Sequence, residues 1–236
     1  LLFKFINPSV TIDILTFRKE VLDLYPIDFT KKFIPNWFKD APSNVSDNPV
    51  PMSSLKKCVG IQDLFGSGIT IPNWSDAVVY KKLDKNEINI SFADGKTLVD
   101  FHPSKQWKYY LDEDNHFHFK IVPPWQIRSS KNIKFLFTGF HWGLNPFLLH
   151  IPTAIVRFKY QNSCNINGFI KPNNFEKIIL NAGKPLVQLI PLTEKKIKLN
   201  YNLVSVEEFN RNTEKLSLYF HNRYKRLEKK LRRIND

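Results

Sequence analysis

His116 and His118 alternate with phenylalanine in "HFHF", and side chains two apart in an extended chain project from one face. With His141, or with His150 in its place, they have the type and reach for a three-histidine site that holds a divalent metal. Cys58 and Cys164 are the only cysteines, too few for a disulfide framework or a cysteine zinc site. Neither reads as a nucleophile. Cys58 falls on the apolar stripe of a predicted helix, facing the core, and Cys164 in the Asn-rich turn "YQNSCNING". The chain carries no Gly-x-Ser-x-Gly elbow, no phosphate loop and no Gly-x-Gly-x-x-Gly fingerprint.

Between Asp114 and Glu176 there is no Asp or Glu, while Lys120, Arg128, Lys131, Lys134, Arg157, Lys159 and Lys171 all lie inside. Paired-carboxylate acid/base chemistry and oxygen-ligand magnesium or calcium sites therefore cannot be built from this stretch alone. What it offers is cations, aromatics and backbone. Trp107, Tyr109 and Tyr110 stand beside Lys105, Lys108 and Lys120, and Trp142 lies in "FHWGLNPF", the pattern of rings that stack on bases beside cations that meet phosphate. The candidate ligand-binding set is Trp107, Lys108, Tyr110, Lys120, Arg128, Trp142, Arg157 and Gln188. The candidate metal set is His116, His118 and His141, with no cofactor otherwise expected.

The elements that must position these residues are mostly short strands. "LLFKFINPSVTIDILTF" reads as two strands about Asn7-Pro8, and prolines from Pro26 to Pro51 make residues 25–52 a wrapping segment anchored by Trp37 and Phe38. A helix is expected at about 53–65, capped by Ser53 or Ser54 and stopped by Gly66 and Gly68. "NEINISFADGKTLVDF" predicts a hairpin turning at Asp94-Gly95. "HFHFKIV", "KFLFTGF", "AIVRFKY", "GFIKP" and "EKIILNAGKPLVQLIPL" predict further strands, the last with a hairpin turn at Asn181–Lys184. From Val206 to Ile234 the apolar residues recur at helical spacing, with glutamates first and lysines and arginines last, as the helix dipole favours. A bend is expected near Asn210 to Thr213.

This predicts a mainly β (α+β) protein: an antiparallel β-sandwich or β-clip-like body over residues 1–204, with one short internal helix, then a basic helical arm over 205–236. At 236 residues, 42% hydrophobic and 14% aromatic, the chain can bury a core without staples. Its net charge of +13 points to a nucleic acid or another anionic partner, although Lys-rich composition contributes to that charge. No apolar run approaches the roughly 20 residues of a membrane span, and "LLFKFINPSV" lacks the apolar centre of a leader peptide. The expected setting is the host-cell cytoplasm or a virion, and the helical arm could pack between subunits of a homo-oligomer.

Two resemblances follow. "IPNWFKDAP" (Ile34 to Pro42), "SSLKKCVGIQDLFGSGITIPNWSDAVV" (Ser53 to Val79), "FKIVPPWQIRSS" with "FLFTGFHWGLNPF", and "AGKPLVQLIPL" (Ala182 to Leu192) resemble, in order, a group of uncharacterised tailed-phage proteins, particularly marine ones, with distant bacterial relatives. The corresponding run in that group has a Cys-Pro helix and Gly-Tyr-Ile-Ile-Pro, Asn-Pro-Trp, Leu-Phe-x-x-Pro-Leu-Asn and Gly-x-Pro-Ile-x-Gln-x-Ile-Pro strands. The resemblance implies a phage-type accessory or virion-associated protein and brings no activity. Gly183, Gln188 and Leu189 also resemble the Gly-Asp-Arg-Ile-Ala-Gln-Leu strand of trimeric dUTPases and deoxycytidine deaminases, which have the β-clip fold. Lys184 and Pro185 replace its Asp-Arg pair, and Val156 and Arg157 stand where the water-activating acid belongs. The metal reading would suit a cupin-like barrel, but the Glu that normally follows its His-x-His pair is missing: Lys120, Ile121, Val122 and Pro123 come next. The oxygenase-type His-x-Asp pair is absent as well. The expectation is thus a protein that binds, with a metal- or nucleotide-dependent enzyme and a structural oligomer as alternatives.

Overall fold

The computed structural model describes residues 9–45, 52–81, 88–107, 109–111, 116–143, 149–171, 177–214 and 229. In chain order the strands are β1 (Val10–Thr16), β2 (Asp28–Phe29), β3 (Asn44–Val45), β4 (Met52–Ser53), β5 (Ile69–Pro72), β6 (Ala77–Lys81), β7 (Ile88–Phe92), β8 (Leu98–Phe101) and β9 (Phe117–Val122). They continue with β10 (Gln126–Ser129), β11 (Phe135–Gly139), β12 (Leu149–His150), β13 (Ala154–Val156), β14 (Ile166–Ile170), β15 (Lys177–Leu180), β16 (Pro185–Pro191) and β17 (Ile197–Leu203). The helices are α1 (Lys19–Leu24), α2 (Asn36–Asp40), α3 (Val59–Gly66) and α4 (Val206–Glu214). The protein is mainly β, with antiparallel sheets packed as in a sandwich.

The largest sheet has the order β13-β11-β16-β5-β2, and a four-stranded sheet runs β12-β14-β9-β8. Two three-stranded sheets, β10-β1-β17 and β15-β6-β7, complete the body, with β3-β4 as a small ribbon. β1 and β17 pair in parallel from Val10↔Ile197 to Thr16↔Leu203, tying early and late sequence together. The inward sides of these sheets share one core, including Ile12, Ile14, Ile71, Phe119, Ile121, Trp125, Phe135, Ile166 and Val187. Phe119 fits there because Gly168, its cross-strand partner, has no side chain: a Cβ at Gly168 would lie 2.3 Å from the Phe119 ring.

Both predicted hairpins are corners between sheets. The Asp94-Gly95 turn forms, with Gly95 at φ 60° and its N–H donating to the Phe92 carbonyl at 3.1 Å. Yet β7 pairs with β6, and β8 pairs with β9. The Asp94 carboxylate accepts from the N–H groups of Lys96 and Thr97 and the Thr97 hydroxyl, holding the chain in a wide bend that carries β8 away. It also pairs with Arg18 at 2.6 Å, both side chains less than a tenth exposed. Burial alone would raise the Asp94 pKa, but the Arg18 guanidinium, the Thr97 hydroxyl and the two backbone donors hold it below the usual carboxylate range. Removing one partner of a buried pair like this costs ~3–5 kcal/mol.

At Asn181–Lys184 the wedge is Asn73. Its N–H donates to the Lys184 carbonyl, its own carbonyl accepts from Gly183 N–H, and its side-chain amide donates to the Leu180 carbonyl. The turn is thereby bonded to the β5–β6 connection: β15 leaves to pair with β6, and β16 becomes the centre of the five-stranded sheet.

The helix expected at about 53–65 begins at Val59. Ser54 caps a separate single turn, Leu55–Lys57, by accepting from the Lys56 N–H. Cys58 follows in extended conformation and resets the helical phase. Leu55, Cys58 and Val59 consequently face solvent, correcting the expectation that Cys58 faces the core. Ile61 and Phe65 carry the buried stripe of α3, packing with Phe38 and Phe140 in a second small core. Phe38 anchors the proline-rich segment as expected, whereas Trp37 stays partly exposed. The expectation of one internal helix is also corrected, since α1 and α2 precede α3.

α4 runs without interruption through Asn210 to Thr213, against the expected bend. Phe209 docks it edge-on to Phe17 at 4.8 Å, and the Gln126 amide donates to the Phe209 carbonyl. The strand expected before Asn7-Pro8 and most of the basic arm, 215–228 and 230–236, lie outside the described residues. Among the described residues no helix is long and apolar enough to cross a membrane.

Candidate functional site

The outer face of the sheet β12-β14-β9-β8 gathers the polar and aromatic residues around "HFHF". Strand alternation sends Phe119 and Ile121 into the core and His118, Lys120 and Val122 outward. Register then builds rows across the sheet. His118 stands opposite Phe169, which stands opposite His150. Lys120 stands opposite Asp100 on one side and Asn167 on the other, and Val122 opposite Leu98.

The first row is a stack of rings. His118 lies 4.7 Å from Phe169 and 4.6 Å from His102, whose N–H donates to the His118 carbonyl. Trp107 packs edge-on against Phe169 at 5.6 Å and is buried. Tyr110 lies 5.6 Å from Phe169, and its hydroxyl meets His150 Nε2 at 3.1 Å. Among the described residues, His102 Nε2 and His118 Nδ1 are buried without a hydrogen-bond partner. Burial, and then the neighbouring His102, push the His118 pKa below its ordinary value. Burial, followed by His141 and His116, does the same for His150. Both shifts favour the neutral form of His118 and His150 at pH 7.

The second row is ionic. Lys120 Nζ pairs with Asp100 at 2.8 Å, so a carboxylate from outside the acid-free stretch reaches its cation across the sheet. Beyond it a cleft of about 610 Å³ opens, lined by Lys120, Asp100, Arg18, Lys96, Trp125 and Phe209 among others. Tyr109 and Tyr110 stay exposed at the opposite end, next to the exposed Lys105 on the Ser104–Gln106 turn. The face thus runs from Tyr110, over a lysine–aspartate pair, into a cleft lined by Lys96, the Asp94-paired Arg18, Trp125 and Phe209.

Of the candidate ligand residues, Trp107, Tyr110 and Lys120 meet on this face, although Trp107 serves as a buried anchor and not as a stacking surface. Lys108 lies outside the described residues. The others are dispersed. Arg128 sits on β10 with Asp13 as its strand partner. Trp142 lies 5.9 Å from Trp37, whose indole N–H donates to the Trp142 carbonyl. Arg157 follows β13, half-buried. Gln188 plays a structural part. Its amide donates to the carbonyls of Leu64 (2.8 Å) and Ser67 (3.0 Å) at the end of α3, and only 3% of it is exposed. With its donors occupied and its surface covered, Gln188 is removed from the ligand-binding set.

The three-histidine metal set is not assembled either. His118 is committed to the ring stack, while His141, at the end of β11, meets the Thr138 hydroxyl through Nε2 at 3.0 Å. His116 precedes β9 and is half-buried. Among the described residues, no three His, Cys, Asp or Glu side chains come together as a metal site. Cys164 is fully buried, its thiol donates to the Trp125 carbonyl, and burial pushes its pKa up to about 12. It has no thiolate character to offer a nucleophilic reaction.

Sequence reasoning missed His102, Arg18, Lys96 and Asn167 as members of this face. The outward alternation of β8 and β9 could have placed Asp100 beside Lys120, since Leu98, Asp100 and His102 alternate as His118, Lys120 and Val122 do. Arg18 and Lys96 carry no such local signal. By fold and site this is a β-sandwich-like protein with an open aromatic and cationic sheet face. The chain matches no protein-family model, and no curated protein is similar to it.

Proposed function

We propose that this is a phage-type accessory or virion-associated protein that acts by binding single-stranded nucleic acid across the outer face of β12-β14-β9-β8. The observation carrying this reading is the succession of exposed Tyr110, Lys120 and a cleft lined by Lys96 along one sheet face. Stacking rings beside backbone-tracking cations are how sequence-tolerant single-strand binding is built. A duplex is a poorer fit, because the face offers stacking surfaces and, among the described residues, a sheet with no helix laid on it to enter a groove. The phage setting is supported by the resemblance of the sequence segments above, and the net charge of +13 favours association with a polyanion.

Fluorescence anisotropy with a labelled oligothymidylate tests the reading. Dissociation constants of roughly 1–100 μM are expected at physiological salt, and tighter binding at low salt. If Lys96, Lys105 and Lys120 each meet a phosphate, log K should fall against log salt with a slope of about −2, from about 0.7 per contact on single strands. Tyr110→Ala and Lys120→Ala should each weaken binding. Absence of binding at low salt, or binding unchanged in both variants, overturns it.

A further inference from the structure

A second cavity, of about 250 Å³, adjoins the face. Its polar wall is Gln161, Ser163, Asn165 and Asn167, and its apolar wall includes Phe137 and Phe158. Ser163 and Asn165 also line the larger cleft, so the two spaces share a border. Asn167 stands directly opposite Lys120 in the sheet. We propose that this cavity is a base pocket, taking one unstacked purine, adenine in preference, from a strand whose phosphates lie over Lys120; it rests on the single-strand reading above.

The segment that carries these side chains is fixed by its backbone while the side chains themselves remain unspent. Ile127 N–H donates to the Asn162 carbonyl at 2.9 Å, Ser163 bridges to Gln126, and the Tyr160 and Gln161 N–H groups both donate to the Arg157 carbonyl at 3.2 Å. Cys164 is anchored from below through its thiol. Among the described residues, Ser163 Oγ and the side-chain amides of Asn165 and Asn167 have no hydrogen-bond partner, and Gln161 makes one long contact of 3.4 Å to the Ser163 carbonyl. A rigid loop with unused amides is preorganised for recognition, because little ordering cost remains when a ligand arrives.

The chemistry of the wall selects the ligand. Amide side chains present a donor and an acceptor side by side, which matches the N6 donor and N7 acceptor of adenine. Among the described residues no charged side chain lines this cavity, so its occupant is the neutral part of the ligand, while Lys96 and Lys120 line the adjoining cleft. The size agrees: a cavity of about 150 Å³ accommodates one benzene ring, and this one leaves room for a fused pair. Bases held this way are read on their edges and packed against apolar side chains.

Competition anisotropy with oligothymidylates carrying a single adenine or a single 7-deazaadenine tests this directly. One adenine should tighten binding about tenfold over the all-thymidine strand, within the discrimination a bidentate amide contact gives, and 7-deazaadenine should forfeit most of that gain. Asn165→Ala and Asn167→Ala should each erase the adenine preference, costing the adenine-containing strand more affinity than the all-thymidine strand. Lys120→Ala should weaken all strands alike. Adenosine monophosphate at millimolar concentration should shift the side-chain amide NMR signals of Asn165 and Asn167 whatever the strands do. Equal affinity for all three strands overturns the base pocket and spares the single-strand reading. Amide shifts with adenosine monophosphate but no strand binding would overturn the single-strand reading alone, and silence in both assays overturns the two together.

Discussion

Gln188→Leu separates a structural glutamine from a ligand-binding one. The amide nitrogen donates two hydrogen bonds, to Leu64 and Ser67, at the end of α3, where helix carbonyls lack partners of their own. Leucine fills much the same volume and donates nothing. The Ser67 carbonyl then loses its partner, while Leu64 keeps only a 3.3 Å bond from the Ser67 N–H. An orphaned buried acceptor costs ~1–3 kcal/mol, and burying leucine in place of an amide returns part of that, so a net loss of about 2 kcal/mol is expected. For a chain of this length that lowers Tm by about 4–8 °C. Gln188→Glu should be worse at pH 7, since it sets a carboxylate against two carbonyl oxygens, and should recover partly near pH 5 as the carboxyl protonates. Thermal unfolding followed by circular dichroism reads all three proteins, with oligothymidylate anisotropy alongside. A Tm within 1 °C of wild type for Gln188→Leu, together with lost oligonucleotide binding, would refute the structural role.

Gly68 has φ +76°, and a Cβ there would lie 2.1 Å from the Leu189 carbonyl oxygen. Gly68→Ala should therefore cost more than ~3 kcal/mol in urea unfolding, while Gly66→Ala, with nothing within 4 Å of the added carbon, should be neutral or slightly stabilising. For the His102–His118 stack, the lowered folded-state pKa of His118 means that the unfolded chain binds more protons, so its contribution is complete above pH 6.5 and declines as pH falls through 6.5 toward the folded value. His118→Phe keeps a ring on Phe169 and should flatten the pH 5–7 portion of the stability curve measured by urea titration. Asp100→Asn releases Lys120 from its ion pair, and oligothymidylate affinity at low salt should rise up to about fivefold, the worth of a partly exposed pair; no change would mean that Lys120 does not meet phosphate.

The fold was legible where one local rule decided. Alternation located most of the strands, and the positive-φ glycines at 95 and 183 fell in the predicted turns. What followed each turn was not legible, because hairpin closure depends on groups distant in sequence: Arg18 and Asn73 redirect strands whose own residues suit a hairpin. The helix near Cys58 misled for a different reason. Leu55, Cys58, Val59, Ile61 and Phe65 fit one helical stripe only if the helix is continuous, and the break at Cys58 leaves just Ile61 and Phe65 buried. On the face itself, "HFHF" correctly put His118 on a strand, while His116 falls one residue before it. The partner strands decided their use: a phenylalanine opposite His118 makes a ring stack, where a histidine or carboxylate would have made a coordination site.

The acid-free stretch changes meaning once the strands are paired. Read along the chain, it is a run of cations waiting for an anion; read across the sheets, Asp100 meets Lys120, and Asp13 stands opposite Arg128. The Asp100 counter-charge comes from the first half of the chain, outside the acid-free stretch. An incoming phosphate must compete with a carboxylate already 2.8 Å from Lys120. Electrostatic attraction at that position is an exchange of partners, which gains little free energy in partly solvated surroundings. Affinity on this face must therefore come mostly from rings and apolar contact, with salt dependence set by the few cations that exchange. This is why a shallow salt slope with a strong Tyr110 effect, and not a steep slope insensitive to Tyr110, is the behaviour that the geometry requires of single-strand binding.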